Sequence, residues 1–236
     1  MKKNFSLNKY QNSIKKLDFK GIFKPTQTSL ELLKACHKYL KKNQKILDLG
    51  CGGGIVTYNI YRPELNQKNF LSDLSLRAVK KSIKNLKNKI KYLEIKTGNC
   101  FEPWKGYCFD IIINDVSGIS KKIAKLSPWF KNVPADNSNN GVKLLLNVLK
   151  NCKFYMGKNS YIFFPIISLS NVTYAKKMMK RYLKIIDIKK IYWPLPKNMY
   201  KYLSILKIEK KKKNIDFVNK YKMIICYTLI VTARIK

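Results

Sequence analysis

Lys45-Ile-Leu-Asp-Leu-Gly-Cys-Gly-Gly-Gly-Ile55 is the stretch on which the reading of this chain turns. A short apolar strand ends in Asp48, Gly50, Gly52, Gly53 and Gly54, and helical periodicity follows at once. Glycines at such a place let the backbone turn sharply and pass close to a ligand, at the carboxyl end of a strand where doubly wound sheets bind nucleotides. A nicotinamide-type turn wants a third small residue three positions after the second glycine. Counted from Gly50 and Gly52 that position is Ile55, which disfavours a dinucleotide oxidoreductase.

Working outward, β-rich runs alternate with helix-period segments, the pattern of a parallel sheet covered by helices. Strands are expected at 45–49, 70–72, 92–96, 110–113, 161–167, 185–192 and 223–232. Helices are expected at 29–41, opened by the capping-box spacing of Thr28-Ser29-Leu30-Glu31, and at 76–90, 142–151 and 172–183. One domain then covers residues 21–236, preceded by a basic arm, residues 1–20, with Phe5, Tyr10 and Phe19 among lysines. The stretch from Ser117 to Asn140 is long for a connection and carries Leu126-Ser-Pro-Trp-Phe130, so it reads as a lid over a substrate.

The spacing acid-x-Gly-x-Gly-x-Gly resembles the first motif of class I S-adenosylmethionine-dependent methyltransferases. Leu71-Ser-Asp-Leu-Ser75 is similar to the second motif, with Asp73 ending a strand where an acid reaches ribose hydroxyls. Gly98-Asn99-Cys100-Phe101 is similar to the third-strand turn that accepts from the adenine amino group, with Asn99 in place of the acid. Phe101 or Trp104 could pack on that ring, or could serve the core. Phe109-Asp-Ile-Ile-Ile-Asn-Asp-Val-Ser-Gly118 resembles the fourth strand and catalytic turn of the release-factor glutamine and adenine N-methyltransferases. Those carry Asn-Pro-Pro-Tyr where this chain has Asn114-Asp115-Val116-Ser117. Upstream, Gly21-Ile-Phe-Lys-Pro-Thr-Gln-Thr-Ser-Leu30 resembles the segment before the cofactor domain in the same group.

The resemblance implies a Rossmann-like, doubly wound and mostly parallel seven-stranded sheet with an antiparallel last strand. It implies S-adenosylmethionine as cofactor, held by Asp48, Gly50, Cys51, Gly52, Gly54, Asp73, Asn99, Cys100, Asn114 and Thr28. Asn114 would orient an acceptor nitrogen and Asp115 would take its proton. As plain chemistry, Asp73 also suits a helix cap, and Asn114 and Asp115 suit a turn.

Lys plus Arg number 49 against 13 Asp plus Glu, a formal net charge of +36, which favours an anionic partner such as nucleic acid or the ribosome. An AT-rich genome would also write Lys over Arg, yet it would equally favour Glu. The lysine run Lys210–Lys213 and the N-terminal lysines are candidate phosphate contacts, or a solvated loop. The six Cys lack zinc spacing, the start lacks a signal-peptide core and the longest apolar run is too short to span a bilayer, so a reducing cytoplasm is expected. These observations favour a methyltransferase acting on a protein side-chain nitrogen or on rRNA or tRNA of the translation apparatus. The alternative is a non-catalytic basic protein that binds RNA or the ribosome with the same fold.

Overall fold

The computed structural model describes residues 7–116, 118–130, 133–136 and 138–236. Phe5 and Ser117 lie outside the described residues. In chain order the longer elements are α1 (Leu7–Lys16), α2 (Gln27–His37), β1 (Lys45–Leu49), α3 (Ile55–Ile60), β2 (Lys68–Asp73), α4 (Leu76–Leu86), β3 (Leu93–Thr97), β4 (Phe109–Asn114), α5 (Lys121–Leu126), α6 (Lys143–Asn151), β5 (Met156–Ile167), α7 (Val172–Tyr182), β6 (Leu183–Pro194), α8 (Leu203–Lys211), β7 (Val218–Lys220) and β8 (Met223–Ile235).

The strands form one sheet in the order β3-β2-β1-β4-β5-β8-β6, with the short β7 hydrogen-bonded to β8. Strands β1 to β5 pair in parallel, whereas β8 runs antiparallel to both β5 and β6. The doubly wound sheet with an antiparallel last strand is therefore present. The added eighth strand is the three-residue β7, which precedes a tight turn at Tyr221 and Lys222, both with positive φ.

Alternation along β1 and β4 makes the two faces of the sheet. Ile46, Ile111 and Ile113 pack with α2 and α3 on one face, while Leu47, Leu49 and Ile112 pack with α6 and α7 on the other. Residues 7–20 join the first face. Tyr10 and Phe19 are buried in the cluster with Leu30 and Leu33, and Ser13 donates to Asn59 Oδ1 at 2.8 Å. The third-strand turn serves the core: Trp104 is fully buried against Phe70, with Nε1 donating to Ser72 Oγ, and Phe101 stacks on Tyr155. A separate apolar cluster beyond the carboxyl ends of the strands joins α5 to α8 through Ile119, Ile123, Leu195, Met199, Leu206 and Phe217. This cluster forms the roof beside the site described next.

Candidate active site

The turn after β1 has positive φ at Gly50 and Gly52, a conformation that side chains resist. Gly50 N and Cys51 N both donate to Ser72 O, so the turn is tied to β2. A β-carbon on Gly50 would lie 2.9 Å from Val116 Cγ2, so the turn after β4 closes on that glycine. Gly52 has nothing within 4 Å of the same position. It faces a cavity of about 360 Å³ lined by Gly50 to Gly53, Asp73, Asn99, Cys100 and Asp115, among others.

Asp73 ends β2 at the rim of this cavity. Its carboxylate accepts from Gly52 N at 2.9 Å and from Ser75 N at 2.8 Å, which locks the glycine turn to the entry of α4. The helix cap is Ser75, whose hydroxyl accepts from Ala78 N, so Asp73 is not the cap. Burial raises the Asp73 carboxyl above its ordinary range, and the two backbone donors oppose that rise. Asn99 pairs with Glu102 through both its backbone N and its amide.

Four of the expected cofactor residues stand elsewhere. Asp48 is buried in β1, where Oδ2 accepts from Thr57 Oγ1 at 2.7 Å and Oδ1 has no partner. It pins the first turn of α3. A β-carbon on Gly54 would meet Leu86 Cδ1 at 2.6 Å, so this glycine allows α4 to pack closely and does not face the cavity. Thr28 lines a neighbouring pocket. The helix α2 begins two residues earlier than expected, with Thr26 as its cap, and Ser29 stands in the cavity wall.

Asn114 and Asp115 also part company. Consecutive residues of extended chain point to opposite faces. Asn114, the last residue of β4, is fully buried on the side of Ile112, and neither its amide N nor its O has a hydrogen-bond partner. Asp115 projects the other way, where Ser29 Oγ donates to Oδ2 at 2.7 Å. Its backbone N continues the ladder by donating to Leu49 O at 3.0 Å. Burial pushes its carboxyl up to about 7, against the lowering effect of the Ser29 bond.

Asp115 lines two cavities at once. The second, about 260 Å³, is walled by Phe23, Thr28, Trp129, Phe130 and Trp193. Phe23 and Phe130 belong to both. Trp129, Phe130, Val133, Pro134 and Ala135 of the long connection after β4 thus wall the site, and the connection carries α5 as well as loop. Its Asp136 accepts from Leu144 N at 2.8 Å, which anchors it to the start of α6. Trp193 escaped sequence reasoning because it sits at the end of a strand, far in sequence from every motif, and only the packing of β6 against the connection brings it here.

Residues 24–115 match the model of the methyltransferase small domain family. Among solved structures, a proposed RNA methyltransferase from Pyrococcus horikoshii is similar, at 13% identity over 98% of each chain and a TM-score of 0.60. The ribosomal protein L11 methylase of Lactobacillus delbrueckii subsp. bulgaricus is similar at 12% identity, over 86% of this chain and 79% of that one, with a TM-score of 0.51. A TehB-like S-adenosylmethionine-dependent methyltransferase from Corynebacterium glutamicum gives 12% identity, 97% and 95% coverage, and a TM-score of 0.51. Those likenesses are of fold. With the family model over residues 24–115 and the glycine turn, they define the class of fold: the chain carries the fold of class I methyltransferases. The methyltransferase model matched by residues 24–115, together with S-adenosylmethionine-dependent neighbours of the same fold, implies use of S-adenosylmethionine. Among the described residues no helix is long and apolar enough to cross a membrane.

Proposed function

We propose that the chain methylates a nitrogen on a component of the translation apparatus, a protein side chain or rRNA or tRNA, in the cytoplasm. The observation that carries this reading is the carboxylate of Asp115 standing in the common wall of two cavities, one with a nucleotide-type glycine turn and one lined by aromatic rings. The donor cavity suits S-adenosylmethionine because Gly52 leaves the space above it open and Asp73 offers an ionisable acceptor for ribose hydroxyls. Gly50, Cys51, Asn99 and Cys100 complete its wall. The bound donor supplies an electrophilic methyl group on a sulfonium. The protein's own part is to align the acceptor, exclude water and hold a proton on Asp115.

The domain doing this is residues 21–236, preceded by a basic arm, residues 1–20, whose described part, residues 7–20, packs on it through Tyr10 and Phe19. The net charge of +36 supports an anionic target, and Lys211, Lys212 and Lys213 are exposed at the end of α8, where they suit phosphate contacts. Lys210 is less free, since it pairs with Asp216.

One observation favours the second reading, a non-catalytic RNA- or ribosome-binding protein: Asn114 is sealed in the core and lines neither cavity. Incubating the full chain with S-adenosylmethionine labelled in the methyl group and cell extract, then digesting with protease or nuclease, separates the readings. Label that enters protein or RNA supports transfer, and the digestion says which. No label in any fraction, with extract depleted of prior methylation, overturns it in favour of binding alone.

A further inference from the structure

The second cavity is unlike the rest of the molecule. In a chain with 49 basic residues its described lining holds no Lys or Arg, and its one ionisable member is Asp115. Four aromatic rings reach it from three separate segments. Trp129 and Trp193 meet edge to face with centroids 6.1 Å apart, and Phe23 and Phe130 lie 5.3 Å apart at a tilt of 42°. Trp193 is held by its Nε1, which donates to Thr228 Oγ1 at 3.0 Å.

The chemistry of such a pocket can be read from what it offers. A neutral planar amino group, on an amide or a base, needs two acceptors for its two hydrogens so that the nitrogen lone pair is aimed at the methyl. Asn114, which would have served that purpose, is shut away, and a carboxylate stands next to it instead. An alkylammonium needs something different. The negative faces of aromatic rings attract a cation, and a recessed carboxylate gives it a counter-charge.

Resting on the methyltransferase reading above, we propose that the acceptor taken into this cavity is a primary alkylammonium, a lysine side chain or an α-amino group of a protein, gripped by the Phe23, Trp129, Phe130 and Trp193 rings and deprotonated by Asp115. The ammonium N–H bond breaks and an O–H bond forms on Asp115. The freed amine pair then forms the N–CH3 bond as the S–CH3 bond of the donor breaks, and sulfur keeps that bonding pair. Asp115 releases its proton to solvent before the next cycle. The acceptor's carrier remains anionic overall, which fits a protein bound to RNA, and the acid-lined pocket then admits the cationic group while the lysine-rich surface holds the surrounding phosphates.

The test uses the full chain and follows tryptophan fluorescence. S-adenosylhomocysteine is titrated first. Then, with it present, the probes are Nα-acetyl-lysine methylamide, the same compound acetylated on Nε, and adenosine. The proposal expects the ammonium probe to bind at least about tenfold more tightly than the neutral one. Asp115→Asn should erase that preference, and an unchanged far-UV circular dichroism spectrum and a cooperative urea transition show that the variant is folded. Trp193→Leu should weaken the ammonium probe more than the neutral one. Equal binding of the two lysine probes, including no saturable binding of either, or tighter binding of adenosine, overturns the proposal. If S-adenosylhomocysteine fails to bind and the ammonium preference persists, the methyltransferase reading falls and takes the transfer step with it, leaving an alkylammonium-binding cavity.

Discussion

Replacing Asp48 by Asn should stabilise the protein increasingly as pH rises. Asp48 is 1% exposed, one carboxylate oxygen lacks any partner, and burial, with Asp115 and Asp73 nearby, pushes its carboxyl up to about 7. In the unfolded chain the group titrates near 3.9. From about pH 4 to 7 the native state therefore keeps a proton that the unfolded state has released, so stability falls as pH rises and the loss is complete above about 7. Three pH units at about 1.4 kcal/mol each set a ceiling near 4 kcal/mol, and sharing with the neighbouring acids reduces it to roughly 2–4 kcal/mol. Asparagine retains an acceptor for Thr57 Oγ1 and cannot ionise. Its amide NH2 would face the side where Oδ1 has no partner, a cost that does not vary with pH. The quantity to read is thus the change in the difference between the two proteins, measured by urea denaturation at several pH values. Between about pH 4 and 8 the midpoint of Asp48→Asn should gain on wild type by about 1 M urea, using a slope near the upper end for small proteins. S-adenosylhomocysteine affinity should change little, because Asp48 lines neither cavity. A difference that stays constant with pH, or a wild type that gains, would refute the reasoning.

Asp73→Ala removes the acceptor of Gly52 N and Ser75 N together with the proposed ribose contact, and should weaken S-adenosylmethionine binding by about 1.5–3 kcal/mol, measured by calorimetry. Gly54→Ala places a β-carbon 2.6 Å from Leu86 on a residue with φ of +79°, and should lower unfolding free energy by about 1–3 kcal/mol. Replacing Lys211, Lys212 and Lys213 by Gln should flatten the plot of log RNA affinity against log salt by up to about 2–3 units if each touches a phosphate. An unchanged slope would make the run a solvated helix end.

The strands around the glycine turn were legible because buried parallel strands are rich in apolar residues and stop abruptly at glycine or acid, as Lys45–Leu49 and Phe109–Asn114 do. The first and last helices were not. In α1, Leu7 to Lys16, the buried face is only Tyr10 and Ser13 among lysines and asparagines, so its helical period is carried by too few apolar residues to stand out. In α8 the lysine run hides the single buried apolar residue, Leu206, and the helix exists because the roof cluster needs it. Of the site, Gly50, Gly52, Asp73, Asn99 and Asp115 could be placed from local motifs. The face to which a strand-end residue turns could not, since a shift of one residue exchanges the faces. That single alternation is what buried Asn114 and presented Asp115.

The arm and the connection after β4 are linked through the same two walls. Tyr10 of α1 donates to Thr26 O, the cap residue of α2, and the first turn of that helix supplies Ser29, whose hydroxyl holds Asp115. Phe23, between arm and helix, packs on Phe130 of the connection. The donor cavity and the aromatic cavity share three side chains in their walls, Phe23, Asp115 and Phe130. A displacement of these by an occupant of one cavity changes the cavity offered to the other, and any coupling that results is reciprocal, each ligand altering the affinity of the other by the same factor.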